Sequence, residues 1–568
     1  MTDAVYWQVV LLRHEHPDSL SPDQQLELLR PGMQSLARNK GALLDEGSRL
    51  VLVGSQERLF DLALEIASEA EGNAQVRAER FFQLAETDRA ILLKSRLNTF
   101  SSLRFTGVPD TLLRREAMLL KTLKGEAEDE APLHDRQGME EDLHELMATL
   151  ERDHPSYFAL RYGERPVTFA QVREALLTTG NALLEFAFTD TGLHALVLRT
   201  DTALLLRLPA RGLQEDVDRL NRAVADRQAA PYLEAAHRLY RRLLAPLAPW
   251  LGGRELLIVP DGPLHRLNME VLLDAPCTME EARDHLLLRR HAVGYLLSAT
   301  TAVQFHGLGG TAGKGALALA PGFSDQLKDQ YRQAQADSSR WDRDFLSLVR
   351  QPFMLRTARH VGELFRARLL MAGEATEARF REEAGRHGIL HLGTHAEMNG
   401  SDPLYSRLVL SKDGASLEPD ADGYLHAYEI YEMQLRAELA VLSACETGAG
   451  NFEAGEGVRS LAHSFAYAGC PSLVMALWQV DEKSTAEILD RFYEGLADGL
   501  PKHEALRRAK LDFLDRAAGE LALPYYWGGL VLVGDVTPVE GAREGLPGWA
   551  WMVLVLVAIL LVYRFARR

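Results

Sequence analysis

The chain has 568 residues, 47% of them hydrophobic and 25% charged, with a net charge of −17 at neutral pH. This length supports more than one domain, because domains usually run about 100–200 residues, and the mixed composition is that of folded protein without a long low-complexity tract. The negative balance argues against a broad phosphate-binding face, so nucleic acid is not an expected direct ligand.

The first residues, "MTDAVYWQVVLLRHEHP", lack the basic start, apolar run and small-residue cleavage site of an export signal. In "QERLFDLALEIASEA" the residues Leu59, Leu62, Ala63, Ile66 and Ala67 recur at helical spacing, and "RAERFFQLAETDRAILLKSRL" continues the pattern. These segments predict a helix pair of the solenoid type, with at most one or two degenerate repeats. Two further amphipathic helices are expected in "TLLRREAMLLKTLK" and "MEEDLHELMATLERD", separated by an acidic solvated loop from Gly125 to Pro132.

From Asn181 the pattern changes to three short apolar runs divided by turn residues such as Asp190, Gly192 and Asp201. A helical segment from about Leu213 to Leu251 follows. Strands then alternate with helices: "ELLIVPDG", "GALALAPG", "ILHLGTH", "RLVLS", "ELAVLSAC", "PSLVMALW" and "GLVLVGD" are separated by stretches such as "EARFREEAGRH" and "KHEALRRAKLDFL". Alternation of this kind predicts an α/β fold with a mainly parallel sheet flanked by helices. At the far end, Leu546 to Tyr563 is uncharged and about the 18 residues that permit a transmembrane helix. Trp549, Trp551 and Tyr563 lie near its ends, and Arg564, Arg567 and Arg568 close the chain. The expected plan is a helical region (1–175), an α/β domain (176–535), a linker (536–545), a membrane helix (546–563) and a basic tail (564–568), with the body cytoplasmic and the C-terminus as anchor.

In open α/β sheets functional groups gather beyond the C-terminal strand ends. Alternation puts His391, Gly393 and His395 on one face of "ILHLGTH", with His395 at the exit and His391 deeper and structural. "ELAVLSAC" brings Cys445 to a matching exit, and the turn "CETGAG" exposes its sulfur beside free backbone donors. An imidazole near a thiol raises its thiolate fraction, and N–H groups can hold an oxyanion. Residue types alone also fit a packed thiol and a hydrogen-bonded histidine. Cys470 reads as packing, and Cys277 suggests nothing further. With no CxxC pair, no disulfide framework is expected and a reducing compartment follows. Asp481 is expected to cap a helix, and Trp478 lines a cleft or fills the core. Glu397, Asp402 and Glu446 either line a specificity pocket or face solvent. Neither a GxxxxGK[ST] loop nor a GxGxxG turn after a strand is present, and no metal or cofactor is implied.

These segments, with "LLIVPDGPLHRLNMEVLL", "ILHLGTHAEMN", "LAVLSACETGAG", "GEGVRSLAHSFAYAGCPSLVMALWQVDEKSTAEIL" and "PYYWGGLVLVGD", resemble the CHAT domain, a caspase-like cysteine peptidase domain of clan CD often preceded by tetratricopeptide repeats. The resemblance implies that Cys445 is the nucleophile and that His395 accepts its proton and later protonates the leaving amine. It places the oxyanion donors on the backbone N–H groups of Cys445 and Ala396, the latter where many relatives have glycine. The function it implies is a membrane-anchored cysteine endopeptidase acting on a protein substrate, regulated by a partner through the helical region. The alternative is a non-catalytic scaffold that keeps the fold.

Overall fold

The computed structural model describes residues 2–15, 20–42, 57–70, 72–89, isolated positions between 111 and 154, and 166–540 apart from 253–254, 307–312, 314, 336–338, 340, 400–402, 413–420, 444–449 and 454–456. The strands in chain order are β1 Asn181–Thr189, β2 Gly192–Leu198, β3 Ala203–Leu208, β4 Glu255–Val259, β5 Ala292–Tyr295, β6 Ala316–Ala320, β7 Arg368–Met371 and β8 Ile389–Leu392. They continue with β9 His395–Glu397, β10 Arg407–Val409, β11 Tyr424–His426, β12 Leu439–Leu442, β13 Gly450–Glu453, β14 Gly457–Ser460, β15 Ser472–Ala476 and β16 Leu530–Gly534.

Eleven strands form one sheet in the order β3-β2-β1-β4-β5-β16-β15-β12-β8-β6-β7. Pairing is parallel except at β1–β2, β2–β3 and β15–β16, so the sheet is mainly parallel. Its central strands are apolar and buried along their whole length, as in β6 (ALALA) and β12 (LAVL), because helices cover both faces. Flanking helices include Pro352–Phe365, Glu482–Ala497 and Lys502–Arg516. Asp481 caps the second of these as expected, its carboxylate accepting from Ser484 N–H at 2.9 Å.

Four N-terminal helices, Thr2–Glu15, Pro22–Ala42, Glu57–Glu69 and Ala74–Asp88, pack one on the next around Val9, Leu29, Phe60, Ala63 and Ile66. The last begins at Asn73, which caps Gln75 N–H. It is seated on the sheet domain: Phe82 packs against Phe169, and the buried Glu86 carboxylate accepts from Ala299 and Thr300 N–H at 2.9 and 2.6 Å. These amides open the helix Ala299–His306, whose positive end a carboxylate suits.

Three sequence expectations need correction. The strand expected to run through His395 ends at Leu392, and His395 opens β9 in a separate three-stranded antiparallel sheet, β11-β10-β9. Gly393 N–H completes the main sheet by donating to Leu319 O at 2.9 Å, and the Thr394 hydroxyl then donates to Val409 O, turning the chain off that sheet. Arg407–Val409, expected in the parallel sheet, is the middle strand of the small one. The helical segment from Leu213 is two helices, Leu213–Ala225 and Ala229–Leu243, broken where Arg227 takes a left-handed φ of 56°. The short strands β5, β7 and β11 were not expected. The acidic stretch Gly125–Pro132 and the apolar segment Leu546–Tyr563 lie outside the described residues; among the described residues no helix is long and apolar enough to cross a membrane.

Candidate active site

β8 and β12 are parallel neighbours, with Leu392 opposite Leu442, so the two chains leave the sheet about 5 Å apart. The pairing runs one residue further: Ser443 N–H donates to Leu392 O at 3.0 Å, and its hydroxyl lies 2.8 Å from Met354 Sδ. Cys445 follows two residues later and, with Glu446, lies outside the described residues, as does Asp402.

His395 stands beyond the other exit, half-buried, its ring tilted against Phe323 with centroids 5.0 Å apart. Nε2 is 2.8 Å from the carbonyl of Val349. A carbonyl only accepts, so Nε2 carries the hydrogen, and in the neutral ring Nδ1 is left as the basic nitrogen. Burial pushes the imidazole below its ordinary pKa of 6.5, aided by the charge of Lys328 and opposed by the Val349 carbonyl and Glu397. At neutral pH the ring is therefore an uncharged base with a fixed tautomer.

The Val349 carbonyl is itself held in place. Lys328 donates through Nζ to the neighbouring Leu348 O, Gln351 N–H donates to Gly322 O at 3.0 Å, and Pro352 then starts the helix Pro352–Phe365. The first free amides of that helix, Phe353 and Met354, donate to Glu482 Oε1 at 2.7 and 3.2 Å. No side-chain motif encodes a carbonyl, so sequence reading could not find Val349. Lys328 and Glu482 were equally invisible, because each acts through backbone groups brought near by the fold.

The ladder geometry decides where the Ala396 amide points. In β10–β11, Leu410 N–H donates to Gly423 O and Ala427 N–H to Ser406 O, each at 2.8 Å. Antiparallel bonding alternates, so Leu408 bonds toward β11 while Arg407 and Val409 bond toward β9. Ala396 faces Leu408 and is thus a non-bonded pair, its N–H directed away from β10. A donor beside the imidazole is available to a ligand at the edge of β9.

Other sequence candidates fall away from this constellation. His391 is fully buried in β8, 3.0 Å from the Tyr493 hydroxyl. Glu397 is paired with Arg407, Oε2 to Nε being 2.8 Å, and does not present a bare charge. Trp478 packs against Gly528 and Gly529, with Nε1 3.5 Å from Tyr525 O, which makes it a core aromatic at the rim. Cys470 is buried, its thiol pushed up to about 12 mainly by burial. Cys277 is half-exposed in a loop and has its thiol pushed up by burial and by Glu281 and Asp274.

The large, mainly parallel sheet flanked by helices makes this a mixed α/β domain. The CHAT domain matches residues 233–535, more than half of the chain, and the protein belongs to that family. The sheet extends further toward the N-terminus than this match, since β1 pairs with β4. No curated protein matches the sequence. Similar solved structures include the Arg-specific cysteine proteinase gingipain R, at 8% identity over 58% of this chain and 74% of that one, with a TM-score of 0.33. The complex of Porphyromonas gingivalis RgpB pro- and mature domains is similar at 9% identity over 58% and 78%, with a TM-score of 0.31. The Saccharomyces cerevisiae separase–securin complex matches at 9% identity over 90% of this chain, with a TM-score of 0.39, and this chain spans only 40% of that one.

Proposed function

We propose that the protein is a cysteine endopeptidase in which Cys445 attacks the scissile carbonyl and His395 is its general base. The observation that carries this reading is the neutral His395 ring, whose Nε2–H is committed to Val349 O, leaving a basic nitrogen at an exit adjoining the strand that leads to Cys445. Nδ1 takes the thiol proton as sulfur attacks, and returns it to the leaving amine as the tetrahedral intermediate collapses to an acyl-enzyme. Water then attacks the thioester, giving its proton to the same nitrogen. The N–H groups of Ala396 and Cys445 hold the oxyanion, a role supported at Ala396 by its outward direction.

The substrate is a protein, and a regulatory partner acts through the N-terminal helices. Leu546–Tyr563 anchors the molecule to a membrane with the body cytoplasmic. A peptide carrying a thiol-reactive electrophile tests the chemistry: wild type is labelled at Cys445, and His395→Ala slows labelling about 100-fold or more. Equal labelling of both removes His395 as the base, protein cleavage that persists in Cys445→Ala removes Cys445 from the mechanism, and absence of both labelling and cleavage in wild type leaves a scaffold role. Vesicle flotation with and without residues 546–568 tests the anchor.

A further inference from the structure

His395 and the carbonyl that fixes it belong to different parts of the chain. The ring stands on β9, in the three-stranded sheet, and Val349 lies on the segment that leads into the helix Pro352–Phe365. Among the described residues no backbone hydrogen bond joins residues 342–350 to β9, β10 or β11. Nor does the Val349 side chain anchor the segment, since it is 73% exposed. The 2.8 Å bond from Nε2 to Val349 O is lost beyond about 3.5 Å, so a slip of about 1 Å between segment and sheet releases the imidazole.

One polar side chain spans the gap. Asp342 caps the short helix Arg343–Ser347 on that segment, Oδ1 accepting from Phe345 N–H at 3.0 Å. Oδ2 accepts from the sheet: from Lys412 Nζ at 2.6 Å, just beyond β10, and from the Tyr424 hydroxyl at 2.5 Å, at the start of β11. Val409 pairs with both Tyr424 and His395, so these three residues form one row across the strands. The Tyr424 ring is itself held, with Lys412 Nζ 3.7 Å and the Arg407 guanidinium 3.5 Å from its centre, and Arg407 is paired with Glu397 on β9. Beside these polar contacts Phe323, Tyr331, Phe345, Val409 and Tyr424 pack as one buried cluster, and the His395 ring lies against Phe323.

We propose that Asp342 is a positioning residue: it locks the Val349 segment to the row that contains His395, and so sets which imidazole nitrogen carries the hydrogen. Its two oxygens divide the task, Oδ1 shaping the segment and Oδ2 fastening it to the sheet. The consequence for thiol activation rests on the proposed function; the consequence for the ring does not.

Asp342→Ser/Lys412→Met separates the two tasks on the full chain. Serine still caps the helix but is too short to reach β10 and β11, and methionine leaves no buried ammonium unpaired. NMR of histidine ring nitrogens reads the tautomer, with the His395 signals assigned by their absence in His395→Gln. In wild type Nε2 is the protonated nitrogen and Nδ1 the bare one. In the double variant the two resonances move toward each other as the tautomers mix, and alkylation of Cys445 by a peptide chloromethyl ketone at neutral pH slows about tenfold. Tyr424→Phe, which keeps the ring and removes only its donation to Asp342, shifts the resonances part of the way in the same direction and serves if the double variant does not fold. A merely structural clamp lowers the unfolding midpoint and leaves the tautomer unchanged; that result, or mixed tautomers in wild type, overturns the proposal. A tautomer fixed in wild type and mixed in the variants, with Cys445 alkylated no faster than in His395→Ala, upholds the positioning and overturns the peptidase reading alone.

Discussion

Glu482→Ala tests how the Val349 carbonyl is kept at His395. The Glu482 carboxylate accepts from Phe353 and Met354 N–H at the start of the helix that follows Val349. Removing it strands two amides that no intrahelical carbonyl can take. Each bond to a charged acceptor contributes about 1.5–3 kcal/mol, but the site is half-buried and water replaces part of the loss, so about 2–3 kcal/mol in total is expected. Glu482→Gln keeps an acceptor and loses roughly half of that. Urea unfolding followed by fluorescence measures the stability, and alkylation of Cys445 by a peptide chloromethyl ketone reads the site. With the helix start loosened, the Val349 carbonyl drifts, His395 loses its fixed tautomer, and alkylation at neutral pH slows about tenfold. A variant that loses the stability yet alkylates at the wild-type rate and pH profile refutes the claim that this carbonyl orients the ring.

Lys328→Met removes a cation that disfavours the imidazolium, so the pKa of His395 rises and the acid limb of the alkylation profile moves to higher pH; an unmoved limb counts against Lys328 as a contributor. Glu438 is pushed up to about 7 by burial, above its ordinary 4.5. A carboxyl raised on folding contributes stability below pH 4.5 that is lost as pH rises through 7, so Glu438→Gln stabilises at pH 8 by about 2 kcal/mol after allowing for partial screening and has little effect at pH 4. Equal unfolding midpoints for variant and wild type at pH 8 would contradict this. Lys510 is fully buried, donates to Leu530 O at 2.6 Å and pairs with the buried Glu270. Lys510→Met leaves that carboxylate without its cation, with only the Asn268 side-chain amide donating to it at 3.2 Å, and costs about 3–5 kcal/mol in urea unfolding, most of it recovered when Glu270→Gln is added.

Much of the architecture was legible because burial on both faces writes itself into composition. The runs at 256–259, 316–320, 439–442 and 473–476 are continuous apolar stretches bounded by polar or turn residues, which is what a covered strand requires. Asp481 was equally legible, since a cap is a local event between a side chain and an amide three residues away. The strands β5 (AVGY) and β7 (RLLM) lack a continuous β-forming run, one holding a glycine and the other opening on an arginine, and what makes them strands is the neighbour each pairs with.

The neighbourhood of His395 divides along the same line. By itself the sequence determined the helix-covered sheet, the CHAT family pattern and the presence of histidine and cysteine after two apolar strands, because these depend on residue type and local spacing. Only the tertiary structure decided that the chain breaks at Gly393, that β9 belongs to another sheet, that Ala396 turns its amide outward, and that Val349 fixes the tautomer of His395. Those outcomes depend on backbone groups of segments distant in sequence, and backbone amides and carbonyls are the same in every residue but proline, so no pattern of letters records which of them meet.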